Sequence, residues 1–206
     1  MKPLDASRAD HLAPILAWAK TAARYPSTAA HLEAALEGSE PVVHWLASAH
    51  PLLEELLTRW MDMPETTLEA HQVEYTRLFM ARWGGVPAPL YASWYLDRET
   101  FRGDAAEAAM GFYAQWGVQW RETTFKEPPD HLAVELEFLE ILCRAVREGV
   151  AREDRDRHVA SALWQDFRLS HFDQWVPRCT QAMERHAVQP LYRTLALTLT
   201  QFCREE

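Results

Sequence analysis

Apolar residues recur at helical spacing along nearly the whole of the 206-residue chain, and this pattern constrains the fold more than any other feature. Residues three and four positions apart lie on one face of an α-helix, so such a stripe marks a helix with one buried side. Leu132, Leu136, Leu139 and Cys143 form a stripe of this kind. No segment shows the convincing alternation that predicts a strand. The sequence therefore predicts an all-α fold.

Helical spacing predicts the individual helices as well. They cover roughly 10–24, 28–38, 41–59, 65–80 and 98–116, then a segment that starts near 130, and two or three more beyond about 160. Pro51 is expected to divide the third segment, because proline lacks the backbone donor that a helix interior needs. The charged stretch "RAVREGVAREDRDRH", 144–158, is predicted to be an exposed connection.

Two interruptions stand in the middle of the chain. The first, "ARWGGVPAPLYASWYLD" at 81–97, holds two adjacent glycines and two prolines and cannot be helical throughout. It also carries several large aromatic residues, so it is either a loop packed onto the core or a binding surface. The second lies at 117–127, and we predict these two to be the longest irregular connections. We expect one globular helical domain, 1–206, with 1–118 and 128–206 as candidate subdomains.

Composition limits the classes of partner. The net charge is −9, which disfavours nucleic acid and anionic lipid and favours basic partners. The three cysteines form no zinc or disulfide pattern, so we predict that they are reduced and dispensable for function. No leader peptide and no membrane span are recognisable. These features favour a cytoplasmic protein.

The stretch "EPPDHLAVELEFLEIL", 127–142, carries the residues that are the best candidates for catalysis, metal binding or recognition. His131 and Glu135 are four residues apart and share a helix face, a spacing that suits a metal site or an acid–base pair. The usual metal motifs and phosphate-binding loops do not accompany them. Asp130 also suits the first turn of a helix, where its charge opposes the helix dipole. Catalysis, metal binding, recognition and a plain helix start are the alternatives.

Three stretches together resemble the TorD/DmsD family of cytoplasmic chaperones for molybdenum-cofactor oxidoreductases. They are "EYTRLFM" at 74–80, "PAPLYASWYLDRE" at 87–99 ahead of Gly103, and the E-x-P-D-H-x-x-x-E-L pattern that starts at Glu127. The "YLDRE" run leans toward the dimethyl-sulfoxide-reductase chaperone branch. The resemblance implies an all-α chaperone that has no enzymatic activity and no resident cofactor. It also implies that the chain binds the twin-arginine signal peptide of a partner oxidoreductase, and in some relatives the apoenzyme body.

Matched residue by residue, the resemblance implies a peptide-binding site. Its residues are Tyr75, Trp83, Pro87, Pro89, Tyr91, Ser93, Tyr95, Gly103, Asp130, His131 and Glu135. Carboxylates beside aromatic side chains suit a peptide with arginines followed by an apolar stretch. His131 is expected to tune binding with pH, because imidazole titrates near neutrality. The alternative role for Asp130 and His131 is to tie the second interruption to the core, and both roles are compatible.

Two other classes of function remain open on the sequence. One is a metal- or nucleotide-dependent helical enzyme that uses Asp130, His131 and Glu135. The other is an assembly factor that binds only the folded body of a partner. The resemblance also implies a protein that is mainly monomeric, with a dimer formed by exchange of helical segments as a further state.

Overall fold

The computed structural model describes residues 2–80, 85–97, 103–121, 127–148 and 154–205, with the backbone alone at 154 and 155. These ranges contain helices and one isolated β-bridge but no strand, so the predicted all-α fold is confirmed for them. The helices are α1 (Ala6–Ala22), α2 (Ala29–Glu37), α3 (Glu40–Trp45), α4 (His50–Asp62), α5 (Pro64–Phe79), α6 (Ala92–Leu96), α7 (Asp104–Gln115), α8 (Leu132–Glu148), α9 (Asp154–Phe167), α10 (Asp173–His186) and α11 (Pro190–Arg204). None of the described helices is long and apolar enough to cross a lipid bilayer.

Local sequence explains where several helices begin. The side chain of Asp5 accepts a hydrogen bond from the Arg8 amide at 2.8 Å and caps α1. Proline occupies the first turn of α4, α5 and α11, where its missing amide is not needed. The predicted division at Pro51 is confirmed: α3 ends at Trp45 and α4 begins at His50.

The prediction of an exposed connection over 144–158 is wrong at both ends. The structure extends α8 to Glu148 and starts α9 at Asp154. The charged residues occupy outward helix faces: Arg144 pairs with Glu140 at 3.1 Å, and Arg147 pairs with Asp10. Val146 on the opposite face is fully buried. Charge density alone did not reveal that this stretch keeps one apolar face.

The core is formed mainly by α1 against α8 and by the last three helices, α9 to α11. Large rings fill the second part and are at most 1% exposed: Trp164, Phe167, Phe172, Trp175 and Phe202. A single cluster of buried residues runs from Leu4 to Phe202 and includes both sides of the predicted division at 118–128. Between α9 and α10 the helix continues through a π-helical turn, Arg168–Phe172.

Both predicted interruptions appear in the structure, each with a part outside the described residues, at 81–84 and 122–126. In the first, Gly85 has a φ of 99°, a conformation that suits glycine, and the chain then bends at Pro87, Ala88 and Leu90 before the short helix α6. The Ala88 amide donates to the Leu78 carbonyl at 2.9 Å, so the segment packs back onto α5. In the second, Trp120 donates from Nε1 to the Glu127 carbonyl at 3.2 Å. That these are the longest irregular connections remains a prediction.

All three cysteines are free, with Cys143 and Cys179 buried and Cys203 half-buried. Burial raises the pKa of the Cys143 and Cys179 thiols to about 12, so both remain protonated near neutral pH. We expect an alkylating reagent to leave these two thiols unmodified in the native protein and to modify them after unfolding. Mass spectrometry of the labelled protein checks this, and rapid native labelling of Cys143 would contradict it. Dispensability for function remains a prediction.

Candidate functional site

The first interruption and the start of α8 are joined by a short antiparallel bridge between Tyr91 and His131. The Ala92 amide donates to the Asp130 carbonyl at 3.0 Å, and the Leu132 amide donates to the Leu90 carbonyl at 2.8 Å. We call this region, residues 87–97 and 127–135, the loop–helix junction. It brings together two of the stretches that the sequence singles out.

Asp130 lies at the centre of the junction and is fully buried. Its Oδ2 accepts a hydrogen bond from the Ser93 amide at 2.9 Å, and so it caps α6 from a different part of the chain. Its Oδ1 has no hydrogen-bond partner among the described residues, and neither does the buried Ser93 hydroxyl. Unpaired buried carboxylate oxygens are uncommon because desolvation without a compensating bond is unfavourable.

His131 is 1% exposed and caps α8, with Nδ1 accepting from the Ala133 amide at 3.1 Å. Its Nε2 lies 3.8 Å from a Glu127 carboxylate oxygen, and the Tyr91 ring packs edge-on at 5.1 Å. Burial lowers the pKa of His131 to about 3. The prediction that His131 tunes binding near neutral pH is therefore wrong, because the ring stays neutral throughout that range.

Replacement of His131 by Asn is expected to reduce the loss of unfolding free energy that occurs as the pH falls below neutral. Asn keeps a capping acceptor but does not titrate. In the wild type, the unfolded chain takes up a proton near pH 6.5 and the folded chain only near pH 3. Stability must fall as the pH drops through this window, by about 2 kcal/mol between about pH 7 and pH 5 from this residue.

Urea unfolding of both proteins at the two pH values measures this difference. Other titrating groups are the same in the two proteins, so the comparison isolates His131. Equal losses of stability in the two proteins would contradict the assignment.

Glu135 is fully buried and links α8 to α10. Its Oε1 lies 2.8 Å from His171 Nε2, and its Oε2 accepts from Trp175 Nε1 at 3.0 Å. Burial alone would lower the pKa of His171, but the Glu135 carboxylate outweighs it and raises the pKa. Trp175 in turn stacks on Tyr95 of α6, with ring centres 5.7 Å apart. Glu135 therefore connects the junction to α10 and to the turn that precedes it.

The other predicted site residues that the structure describes lie in the core, in the first interruption or just before α7. Tyr75 is 4% exposed in the core and donates to the Ala23 carbonyl at 3.2 Å. Pro89 is buried beside Cys179, whereas Pro87 is partly exposed. A side chain at Gly103 would overlap the Asp97 carboxylate, which accepts from the Ala105 amide at 2.9 Å and caps α7. Trp83 lies outside the described residues.

The accessible part of the junction is aromatic with acidic neighbours. Tyr91, Trp94 and Tyr95 are each partly exposed. Glu127 has a side chain that is 39% exposed, and it adds to burial in raising the pKa of Tyr91 to about 12. Asp97 is also partly exposed. Within the described ranges, no three His, Cys, Asp or Glu side chains are grouped as a metal ion would need.

Five residues that contribute to this site were not among those predicted: Trp94, Asp97, Glu127, His171 and Trp175. Glu127 opens the motif that carries the resemblance, so the signal for it was present in the sequence. Trp175 showed only as part of an apolar helix face. His171 had no visible link to Glu135, because 36 residues separate them and only the fold brings them together.

Comparison with known proteins agrees with the motifs. The family model described as "Nitrate reductase delta subunit" matches residues 45–181, more than half of the chain. The chaperone protein TorD of Vibrio parahaemolyticus is 29% identical over 155 residues, which cover 74% of this chain and 69% of that protein. A chlorate reductase assembly chaperone protein of Ideonella dechloratans is 31% identical over 137 residues, which cover 66% of this chain and 68% of that protein.

Matches to further TorD proteins cover as little as 58% of those relatives. A solved structure of a candidate redox enzyme maturation protein from Archaeoglobus fulgidus superposes with a TM-score of 0.65 over 94% of both chains, at 24% identity. That likeness supports the fold. The matched length and the relatives together assign the chain: it belongs to the nitrate reductase delta subunit family, the family of the TorD-type maturation chaperones that its motifs resemble.

Proposed function

We propose that this chain is a system-specific chaperone for a molybdenum-cofactor oxidoreductase, and that it binds the partner's twin-arginine leader at the loop–helix junction. The relatives are named as chaperones or assembly chaperones, which supports a chaperone rather than an enzyme. The oxidoreductase partner follows from the same family. The leader, the site and a cytoplasmic location are the parts of the proposal that require experiment.

The buried carboxylate of Asp130 carries the proposal for the site. It is fully desolvated, and its Oδ1 has no hydrogen-bond partner in the described part of the chain. Glu127 and Asp97 add partly exposed carboxylates around it, while His131 is neutral. The residues of the junction itself therefore include acidic side chains and no Lys or Arg, while Arg24 and Arg178 lie beside it. A guanidinium group supplies both positive charge and several donors, so it matches this environment better than other side chains do.

The aromatic side chains of the first interruption suit the same ligand. Tyr91, Trp94 and Tyr95 are each partly exposed, and an exposed aromatic ring can stack with a guanidinium or an apolar side chain. Tyr95 already takes a guanidinium in this way, since the Arg178 Cζ lies 5.5 Å from its ring centre. Asp130 is near enough to Tyr91 to contribute to the raised pKa of that phenol. A buried carboxylate attracts a bound arginine more strongly than a carboxylate in water does.

Calorimetric titration tests this function. The ligands are the twin-arginine leader peptide of a molybdenum-cofactor oxidoreductase from the same organism and a variant with both arginines replaced by lysine. We expect the natural peptide to bind and the lysine variant to bind about tenfold more weakly, because lysine cannot form the bidentate contact. Added salt should weaken binding, since part of the attraction is between exposed charges.

Absence of detectable binding between the wild-type protein and the leader peptide would overturn the proposal. Binding of the apoenzyme without its leader would then favour the body-binding alternative. The enzyme alternative gains no support from the geometry, because both oxygens of Glu135 are engaged and His131 caps α8. A stoichiometric metal in the purified protein would revive it.

Two finer features are also proposed. One is the lean toward the dimethyl-sulfoxide-reductase chaperone branch. The other is a mainly monomeric state with some exchanged dimer. Comparing the leaders of several molybdoenzymes for affinity tests the first, and sedimentation over a range of concentrations tests the second.

A further inference from the structure

We propose that His171 is a positioning residue for the leader site: with Trp175 it fixes Glu135, and through Trp175 it sets the placement of the Tyr95 ring. The inference rests on the function proposed above. It assigns a role to a side chain in the π-helical turn between α9 and α10, outside the sequence motifs that define the junction.

His171 and Trp175 are four residues apart in a continuous helical segment, so they lie one above the other on the same face. They engage the two oxygens of one carboxylate, at 2.8 Å and 3.0 Å. All three side chains are buried, with the His171 side chain 3% and the Glu135 side chain 0% exposed. Because each donor uses a separate oxygen, loss of either one leaves a buried acceptor unsatisfied.

The π-helical turn Arg168–Phe172 places His171 against α8. Turns of this type are rare and occur often at functional sites. Arg168 holds the turn in place: it pairs with Asp173 at 2.9 Å and donates to the Phe202 carbonyl of α11 at 3.0 Å. The position of His171 is therefore fixed by the last two helices rather than by the junction itself.

The network reaches the surface through Tyr95. Its ring stacks on Trp175 at 5.7 Å, and its backbone carbonyl accepts a hydrogen bond from Arg178. Its hydroxyl lies beside Cys179, so three residues of α10 hold one partly exposed ring. A shift of α10 relative to α8 would move this ring. The Glu135 contacts are the polar connection that prevents such a shift.

The positive charge on His171 contributes to its attraction for Glu135. The groups that face it are Glu135 of α8, Asp130 ahead of α8 and Asp97 after α6, together with the rings of Phe112 and Phe167. Three carboxylates raise the pKa of His171 despite its burial. A raised pKa means that the charge is present below about pH 6.5 and is lost as the pH rises through the higher folded-state value. The attraction between His171 and Glu135 should therefore weaken as the pH rises above the folded-state pKa of His171.

Three variants separate the contributions. His171→Phe removes both donor and charge, His171→Gln retains a donor without titration, and His50→Gln is a matched control. His50 is an exposed histidine whose side chain is 52% exposed and pairs with Glu54 on α4. Leader affinity is measured by calorimetry from about pH 6 to about pH 9, with the folded fraction of each protein checked by thermal melts.

We expect the wild type to lose affinity toward the alkaline end and His50→Gln to follow the same curve. His171→Phe should bind the leader about tenfold more weakly near neutral pH, because Glu135 Oε1 loses its hydrogen-bond donor. His171→Gln should restore part of the affinity and show a flatter pH profile. Folded His171 variants that bind with the wild-type affinity and pH profile would overturn the positioning role while leaving leader binding intact. A wild type that binds no leader would overturn the proposed function, and this inference with it.

Discussion

Glu135→Ala is expected to lower the free energy of unfolding by about 3–5 kcal/mol, the range typical for removal of one partner from a buried ion pair. The substitution leaves the His171 imidazole and the Trp175 indole donor without their acceptor in a fully buried position. It also removes the polar connection between α8 and α10. Urea unfolding, followed by far-ultraviolet circular dichroism, measures the loss.

Glu54→Ala provides the matched control for that prediction. Glu54 also pairs with a histidine, His50, at 3.3 Å, but the two side chains are 52% and 67% exposed. Exposed pairs contribute roughly 0–1 kcal/mol, so this variant should unfold almost as the wild type does. If Glu135→Ala lost no more stability than Glu54→Ala, the buried network would have no structural importance.

Asp130→Asn and Tyr95→Ala are each expected to weaken leader binding by about 2 kcal/mol, or roughly thirtyfold. Asn retains an acceptor for the Ser93 amide, so the first substitution removes the charge while keeping the cap on α6. The second removes the ring that stacks on Trp175 at the surface. Calorimetry with the same leader peptide measures both, with thermal melts as the check on folding.

The control for charge in that experiment is Asp62→Asn, at an exposed position at the end of α4. It changes the net charge as Asp130→Asn does, so any general electrostatic effect is shared. A control at Glu153 would fall outside the described residues. Equal affinities for Asp130→Asn, Tyr95→Ala and the wild type would place the leader somewhere other than the loop–helix junction.

Local information in the sequence accounts for most of the fold. The stripe through Leu132 and Leu139 predicted α8, and Pro51 predicted the break between α3 and α4. Both depend on residues within a few positions of each other. The stretch 144–158 was misread because its abundant charges concealed an apolar face that includes the buried Val146.

The candidate site depends on contacts between distant residues, and these could be predicted only in part. The motif brought attention to Asp130, but its partner Ser93 lies 37 residues earlier. Both donors to Glu135 lie 36 and 40 residues later. Periodicity shows which side of a helix is buried but not which polar groups meet there. For that reason His131 was expected to titrate near neutral pH, whereas its burial holds it neutral.

Photo-crosslinking of the leader to the chaperone tests the central claim most directly. A leader peptide with a photoreactive residue next to the twin arginines is bound, irradiated, digested and mapped by mass spectrometry. We predict crosslinks within 85–97, at or beside Tyr91, Trp94 and Tyr95, and weaker crosslinking with the lysine-substituted peptide. Crosslinks that map instead to the groove between α5 and Gln189, lined by Val73 and Arg77, would contradict it.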